Sequence, residues 1–214
     1  MKNKSDTNML RHYCNLHRGK IFDMARVNKQ EFPNYPDNVF RKYVSRLVIE
    51  GYLLPIDRGI YFIGNELPTN IDEMILRHHG ASNRIHYGNS LLFEVGIIDE
   101  KPEFEEVFCM ASFKNRRVRN FAFKGLQTFL DDAPKYLVEL IELISLQNDI
   151  PEDNEFIYFS ELKERLLKYK DEDLNRIKPV YRRIVYVRLA NLLDQLHISN
   201  KVKSWYGHYK GLSY

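Results

Sequence analysis

The organisation of the chain turns on one stretch, FRKYVSRLVIEGYLLPIDRGIYFI, Phe40 to Ile63. Its first part has helical spacing. At about 100° per residue, Phe40, Tyr43, Val44 and Leu47 fall on one arc. Arg41, Lys42, Ser45, Arg46 and Ile49 fall on the opposite arc. Gly51 stands where a helix stop is expected. Tyr52–Leu54 and Gly59–Ile63 then read as two short apolar strands, closed by the turn Pro55-Ile56-Asp57-Arg58-Gly59. Three cations and a hydroxyl therefore leave the core together, and a fourth cation stands at the hairpin tip.

Working outward, residues 8–18 suit a helix with Met9, Leu10, Tyr13 and Leu16 on its apolar side and Gly19 as stop. Lys20-Ile21-Phe22-Asp23 reads as an extended link, and residues 24–30 as a second short helix. Pro33 and Pro36 break the chain, and Asp37 or Asn38 can cap the helix that follows. A third helix running straight into a hairpin is the layout of a winged helix-turn-helix. In that arrangement the last helix enters the major groove and the hairpin lies over the phosphate backbone. Arginine offers a planar fork to guanine edges or phosphate, and lysine a mobile charge to phosphate. The candidate DNA-binding residues are Asn38, Arg41, Lys42, Ser45, Arg46 and Arg58. Glu50, at the end of the same helix, argues against close phosphate approach there.

Beyond Leu67-Pro68 the pattern changes. A helix is expected over residues 71–79. A strand or loop followed by a short helix is expected over Asn83–Gly96. Val107–Ser112 and Asn120–Lys124 read as strands joined by the polar turn Phe113-Lys114-Asn115-Arg116-Arg117. Residues 134–148, 160–170 (Ser160 as cap) and 180–197 (Pro179 near the first turn) read as helices. The tail from Ser199 is basic and aromatic, and either packs or forms an arm. The fold class is α+β. A winged helix-turn-helix over residues 1–66 precedes a mixed α/β domain with a helical C-terminal part over residues 67–214.

Composition sets bounds. The chain has 214 residues, 44% of them hydrophobic, with a net charge of +3. That mild charge does not argue for nucleic acid; its distribution does. The two cysteines, Cys14 and Cys109, form no CxxC or zinc spacing and read as reduced thiols of a cytoplasmic protein. No apolar run is long enough for a membrane span.

A second basic segment, FKNRRVRNFAFK, interleaves Lys114, Arg116, Arg117, Arg119 and Lys124 with Phe113, Phe121 and Phe123. Aromatics stack bases and cations hold backbone, so Lys114, Arg116, Arg117 and Arg119 are a possible second nucleic-acid surface. In a simple hairpin Arg117, Arg119, Phe121 and Phe123 would share one face. His78-His79 and His86 lack metal-ligand spacing, and Asp131-Asp132 lacks the context of a nucleotidyltransferase. Glu105-Glu106 lacks the lysine spacing of a nuclease. The reading is therefore a non-enzymatic protein with no metal and no cofactor.

Three phrases carry a family resemblance: Val44-Ser45-Arg46-Leu47, Glu50-Gly51-Tyr52-Leu53 and Asp57-Arg58-Gly59-Ile60-Tyr61. With Ile85-His86-Tyr87-Gly88-Asn89-Ser90-Leu91-Leu92 and Val95-Gly96-Ile97, they resemble the AbiEi family of antitoxins. That resemblance implies a transcriptional regulator in a two-gene toxin–antitoxin or phage-defence module. Such a protein represses its own promoter and counteracts a nucleotidyltransferase-like toxin, without requiring a stable complex. Its partners would be double-stranded DNA and that toxin, with no membrane. Monomer and homodimer both remain open. The alternative is a protein-interaction module, in which the winged helix and the C-terminal helices bind a protein.

Overall fold

The computed structural model describes residues 3–110, 115–126 and 133–211, with side chains from Thr7 onward. The chain is mixed α+β and divides into two compact units, Met1–His78 and His79–Tyr214.

The first unit runs α1 (Asn3–Leu16), β1 (Ile21–Asp23), α2 (Met24–Glu31), α3 (Asp37–Ile49), β2 (Leu53–Asp57), β3 (Ile60–Ile63) and α4 (Ile71–His78). Lys20–Asp23 is more than a link: Ile21–Asp23 pairs with β3, placing Phe22 opposite Tyr61. The sheet order is β1-β3-β2, all antiparallel. The buried arc of α3 is Phe40, Tyr43, Val44 and Leu47, as the apolar spacing requires. It packs with Leu10, Cys14, Phe22, Val27, Leu53 and Ile63. Phe22 stacks on Phe40 with ring centroids 6.4 Å apart.

Caps fix the helix ends. Asp23 is buried, and its Oδ1 accepts the Ala25 and Arg26 amides at 3.1 and 3.2 Å, starting α2 immediately after β1. α3 is entered differently from the expectation. Pro36 is its N-cap residue, with φ −57°, and Asp37 is already helical. The Asp37 carboxylate instead accepts the buried Asn28 amide at 2.7 Å, tying α2 to the start of α3. Gly51 has φ +78°, a left-handed conformation that costs a residue without Cβ little, and it ends α3.

The second unit contains α5 (Gly88–Glu94), β4 (Glu105–Cys109), β5 (Arg116–Val118), β6 (Phe121–Gly125), α6 (Lys135–Ser145), α7 (Glu155–Leu167), α8 (Asp171–Leu174), α9 (Arg183–Gln195) and α10 (Val202–Tyr209). Its sheet has the order β4-β6-β5. The expected hairpin across residues 113–117 is corrected: β4 and β6 run parallel, and the hairpin is β5–β6 with its turn at Arg119-Asn120. Arg119 takes φ +51°, which reverses the chain there. Phe121 and Phe123 are buried on the central strand, which explains why it lies between its neighbours.

α6 is buried almost all round, from Leu137 to Ile144. Tyr158, Leu162 and Leu166 of α7 and Val185, Tyr186, Leu189 and Leu193 of α9 belong to the same core. α7 begins at Glu155, so Ser160 lies inside the helix and is not its cap. Pro179 precedes the first residue of α9 by a short extended segment. The aromatic tail packs: Trp205 and Tyr206 of α10 lie 5.5 and 5.0 Å from the Tyr186 ring. Among the described residues, no helix is long and apolar enough to cross a membrane.

Candidate nucleic-acid interface

The outward face of α3 is built by the same spacing that builds its core face. Asn38, Arg41, Lys42, Ser45 and Arg46 are all exposed, and Ile49 is 86% exposed among them. Ser45 donates its hydroxyl to the Arg41 carbonyl at 2.9 Å, leaving its oxygen facing outward as an acceptor. The Arg46 guanidinium lies 5.8 Å from the Tyr43 ring centroid, which holds its stem along the helix.

Arg58 is exposed in the turn between β2 and β3. The pairing of β2 with β3 shifts register between Pro55 and Asp57. The Asp57 carboxylate accepts the Arg58 amide. The Gly59 carbonyl accepts the Met24 amide at 2.9 Å, anchoring this turn to the start of α2. A cleft of about 390 Å³ lies between α2 and α3, lined by Asn28, Lys29, Tyr35, Asp37, Phe40 and Arg41 among others. Lys29 and Arg41 thus add charge on both sides of that cleft.

The sequence reading missed Arg11. Its guanidinium grips Glu50 in a bidentate pair, with Nε–Oε2 2.8 Å and Nη2–Oε1 2.6 Å. The hydrogen bond from Arg11 is the main cause that holds the Glu50 carboxyl below the usual range. The Glu50 charge at the end of α3 is therefore offset within its own unit by Arg11. Nothing in the local sequence reveals this, because the partner lies on α1, 39 positions away.

The second basic segment is not one surface. Lys114 lies outside the described residues. Arg116 sits opposite Phe123 and Arg117 opposite Ala122, so the two arginines point to opposite faces of β5. The expected sharing of a face by Arg117, Phe121 and Phe123 is corrected, because the turn at Arg119 changes the alternation. The Arg117 guanidinium covers the Phe104 ring at 4.4 Å. Arg119 is exposed in the turn itself.

The histidines are absorbed by local contacts. His79 is buried against Phe123, with ring centroids 4.3 Å apart. His86 lies between Glu94 (Nδ1–Oε2 2.6 Å) and Glu105 (Nε2–Oε1 3.2 Å). Burial pulls the His86 pKa down, but the hydrogen bonds to Glu94 and Glu105 outweigh it and the net direction is up. The bond from His86 is the chief reason Glu94 is lowered to about 2. Among the described residues, no group of three or more His, Cys, Asp or Glu side chains is arranged to hold a metal ion. Asp131-Asp132 lies outside the described residues.

A polar cluster inside the second unit also escaped the sequence reading, although two glutamates in the apolar run LVELIELI were its signal. The Gly88 amide donates to Glu142 Oε1 at 2.9 Å and the Ser90 amide to Glu106 Oε2 at 3.1 Å. Gly88 has φ +54°, and a Cβ there would meet Glu106 Oε2 at 2.6 Å. Lys124 approaches Glu142 at 3.8 Å and lies 4.9–5.3 Å from the rings of Tyr87, Phe108 and Tyr181. The two carboxylates cap α5 from within, and the lysine offsets part of their charge. The cluster ties the start of α5 to β4 and α6, while Glu142 Oε2 is buried without a hydrogen-bond partner and has Lys124 as its nearest charge.

No family model matches the chain, and no curated protein is significantly similar to it.

Proposed function

We propose that the chain is a DNA-binding transcriptional regulator of the antitoxin type, and that its first unit is a winged helix-turn-helix. One observation carries this reading: Arg41, Lys42, Ser45 and Arg46 share the exposed face of α3, in a unit whose β2–β3 turn carries Arg58. The element order α1-β1-α2-α3-β2-β3 and the sheet order β1-β3-β2 support it. In this reading α3 enters the major groove. Arg41 and Arg46 reach base edges or phosphates, Ser45 offers an acceptor, and Asn38 meets the backbone at the helix start. Lys42 and Arg58 hold phosphates from the helix and the turn. Ile49 meets the groove as an apolar contact of the kind a thymine methyl offers.

Repression of its own promoter and action against a nucleotidyltransferase-like toxin rest on the AbiEi resemblance alone. The test of the DNA reading is the variant R41A/K42A/R46A/R58A, assayed on DNA from upstream of its own gene. These side chains are exposed, so the fold persists while affinity falls steeply. Unchanged affinity in a folded variant removes the site. The antitoxin part is tested by growth: co-expression of the chain relieves the toxicity of its neighbouring gene product, and failure to do so leaves only a regulator.

One observation also suits a second reading, a protein-interaction module: Ile49, a large apolar side chain on the outward face of α3, is 86% exposed. A co-purifying protein partner together with no DNA affinity at low salt would favour it.

A further inference from the structure

The cleft between α2 and α3 has a chemistry of its own. Pro33 and Pro36 fix two backbone angles in the link of residues 32–36, which leaves that link little freedom to close over the cleft. The Asn28 side chain, 7% exposed, braces the two helices. Its Nδ2 donates to the Asp37 carboxylate at 2.7 Å and to the Tyr35 carbonyl at 3.4 Å. Both amide hydrogens are then spent, and Oδ1 is a buried acceptor without a donor. An acceptor left in that state costs free energy that a bound donor would return.

The cleft holds about 390 Å³, within the size range of small-molecule sites. Met24, Pro33, Tyr35 and Phe40 give it apolar walls. Lys29 on α2 and Arg41 on α3 bring a cation from each helix. Among the described residues neither cation is held in an ion pair, whereas Asp37, the acid of the lining, is engaged by Asn28. A backbone phosphate suits this lining poorly. It gains nothing from the apolar walls and brings no donor to Asn28 Oδ1.

We propose that the α2–α3 cleft binds a small hydroxylated aromatic carboxylate and that this ligand displaces DNA. The ring lies on the apolar walls, the carboxylate between Lys29 and Arg41, and the hydroxyl donates to Asn28 Oδ1. Arg41 cannot hold the carboxylate and a groove contact together, so ligand and DNA compete. The displacement rests on the DNA-binding reading; the binding does not.

Amide chemical shifts of the nitrogen-labelled full chain test the site, with benzoate, meta- and para-hydroxybenzoate and the neutral para-hydroxybenzyl alcohol as probes at fixed ionic strength. Shifts are expected to cluster on residues 24–41. One of the hydroxybenzoates should bind most tightly, with a Kd on the order of 1 mM for a molecule of this size, and the neutral alcohol most weakly. K29A/R41A alters exposed side chains, so the chain stays folded while this affinity falls about tenfold. Shifts elsewhere, no shifts with any probe, or an alcohol that binds as tightly as the acids overturns the proposal. Benzoate equal to both hydroxybenzoates removes the role of Asn28. Anisotropy with upstream DNA tests the displacement. At about ten times its Kd the ligand should weaken DNA binding about elevenfold against sodium chloride of equal ionic strength. DNA affinity unchanged by a ligand that occupies the cleft overturns the displacement. If the chain binds no DNA at all, the DNA reading fails and the displacement with it, while the shifts still decide the cleft.

Discussion

Leu47 and Ile49 lie two residues apart on α3, and the phase of that helix decides which side chains face outward. Leu47 is fully buried and Ile49 is 86% exposed. Leu47→Ala removes three buried carbon atoms, at about 0.8 kcal/mol each for transfer from water. It also leaves a cavity among Phe40, Val44 and Leu53, which relaxes only in part. The expected cost is about 3–4 kcal/mol, within the range seen for buried leucines. A unit the size of Met1–His78 has a total stability of roughly 4–12 kcal/mol. The variant therefore consumes about a quarter or more of it. Ile49→Ala is expected to change stability by no more than about 0.5 kcal/mol. Because the chain has two units, hydrogen exchange read peptide by peptide across a urea series is the right assay. It follows α1–α3 separately from the rest of the chain. The L47A variant should lose protection throughout α1–α3 at lower urea, while the I49A variant should match the parent. An I49A loss as large as that of L47A would mean the helix is rotated, and the cationic face would no longer be the outward one.

Three other outcomes follow from the same geometry. If Arg41, Lys42, Arg46 and Arg58 each neutralise one phosphate, affinity for DNA should fall about 150-fold between 50 and 200 mM salt, and only about 12-fold in K42A/R58A; filter binding at several salt concentrations reads the slope directly. Burial raises the Glu142 carboxyl, so its favourable contribution is present below the ordinary carboxylate pKa and is lost as pH rises through the raised value. Glu142→Gln keeps an acceptor for the Gly88 amide and should flatten the pH dependence of the melting temperature, with relative stabilisation at neutral pH; a melting curve unchanged in its pH dependence would contradict the burial argument. His86 is raised, so its contribution is present below the ordinary histidine pKa and is lost as pH rises through the folded value. His86→Asn should remove that loss, measured as the melting temperature between pH 5 and 8.

Much of the first unit was legible because its elements are short and their apolar spacing is strict. Phe40, Tyr43, Val44 and Leu47 fix the buried arc of α3, and the exposed face follows by geometry. What escaped was non-local. The strand Ile21–Asp23 is too short to declare itself and exists because β3 offers it a partner. Arg11 neutralises Glu50 across two elements, a pairing that no local window contains. In the second unit the parallel pairing of β4 with β6 was misread as a hairpin, since FKNRRVRN has the composition of a turn and the true reversal at Arg119-Asn120 lies within it. The buried glutamates of α6 were visible as an anomaly in an apolar run, but their partners Gly88 and Lys124 come from distant segments.

The central claim is that α3 and the β2–β3 turn bind a specific DNA duplex. The most direct measurement is fluorescence anisotropy with a labelled fragment from upstream of its own gene, titrated beside a scrambled fragment at two salt concentrations. The account predicts weaker binding to both at the higher salt, with a preference for the upstream fragment that persists there. Equal affinity for the two fragments, or no binding to either at low salt, would contradict it.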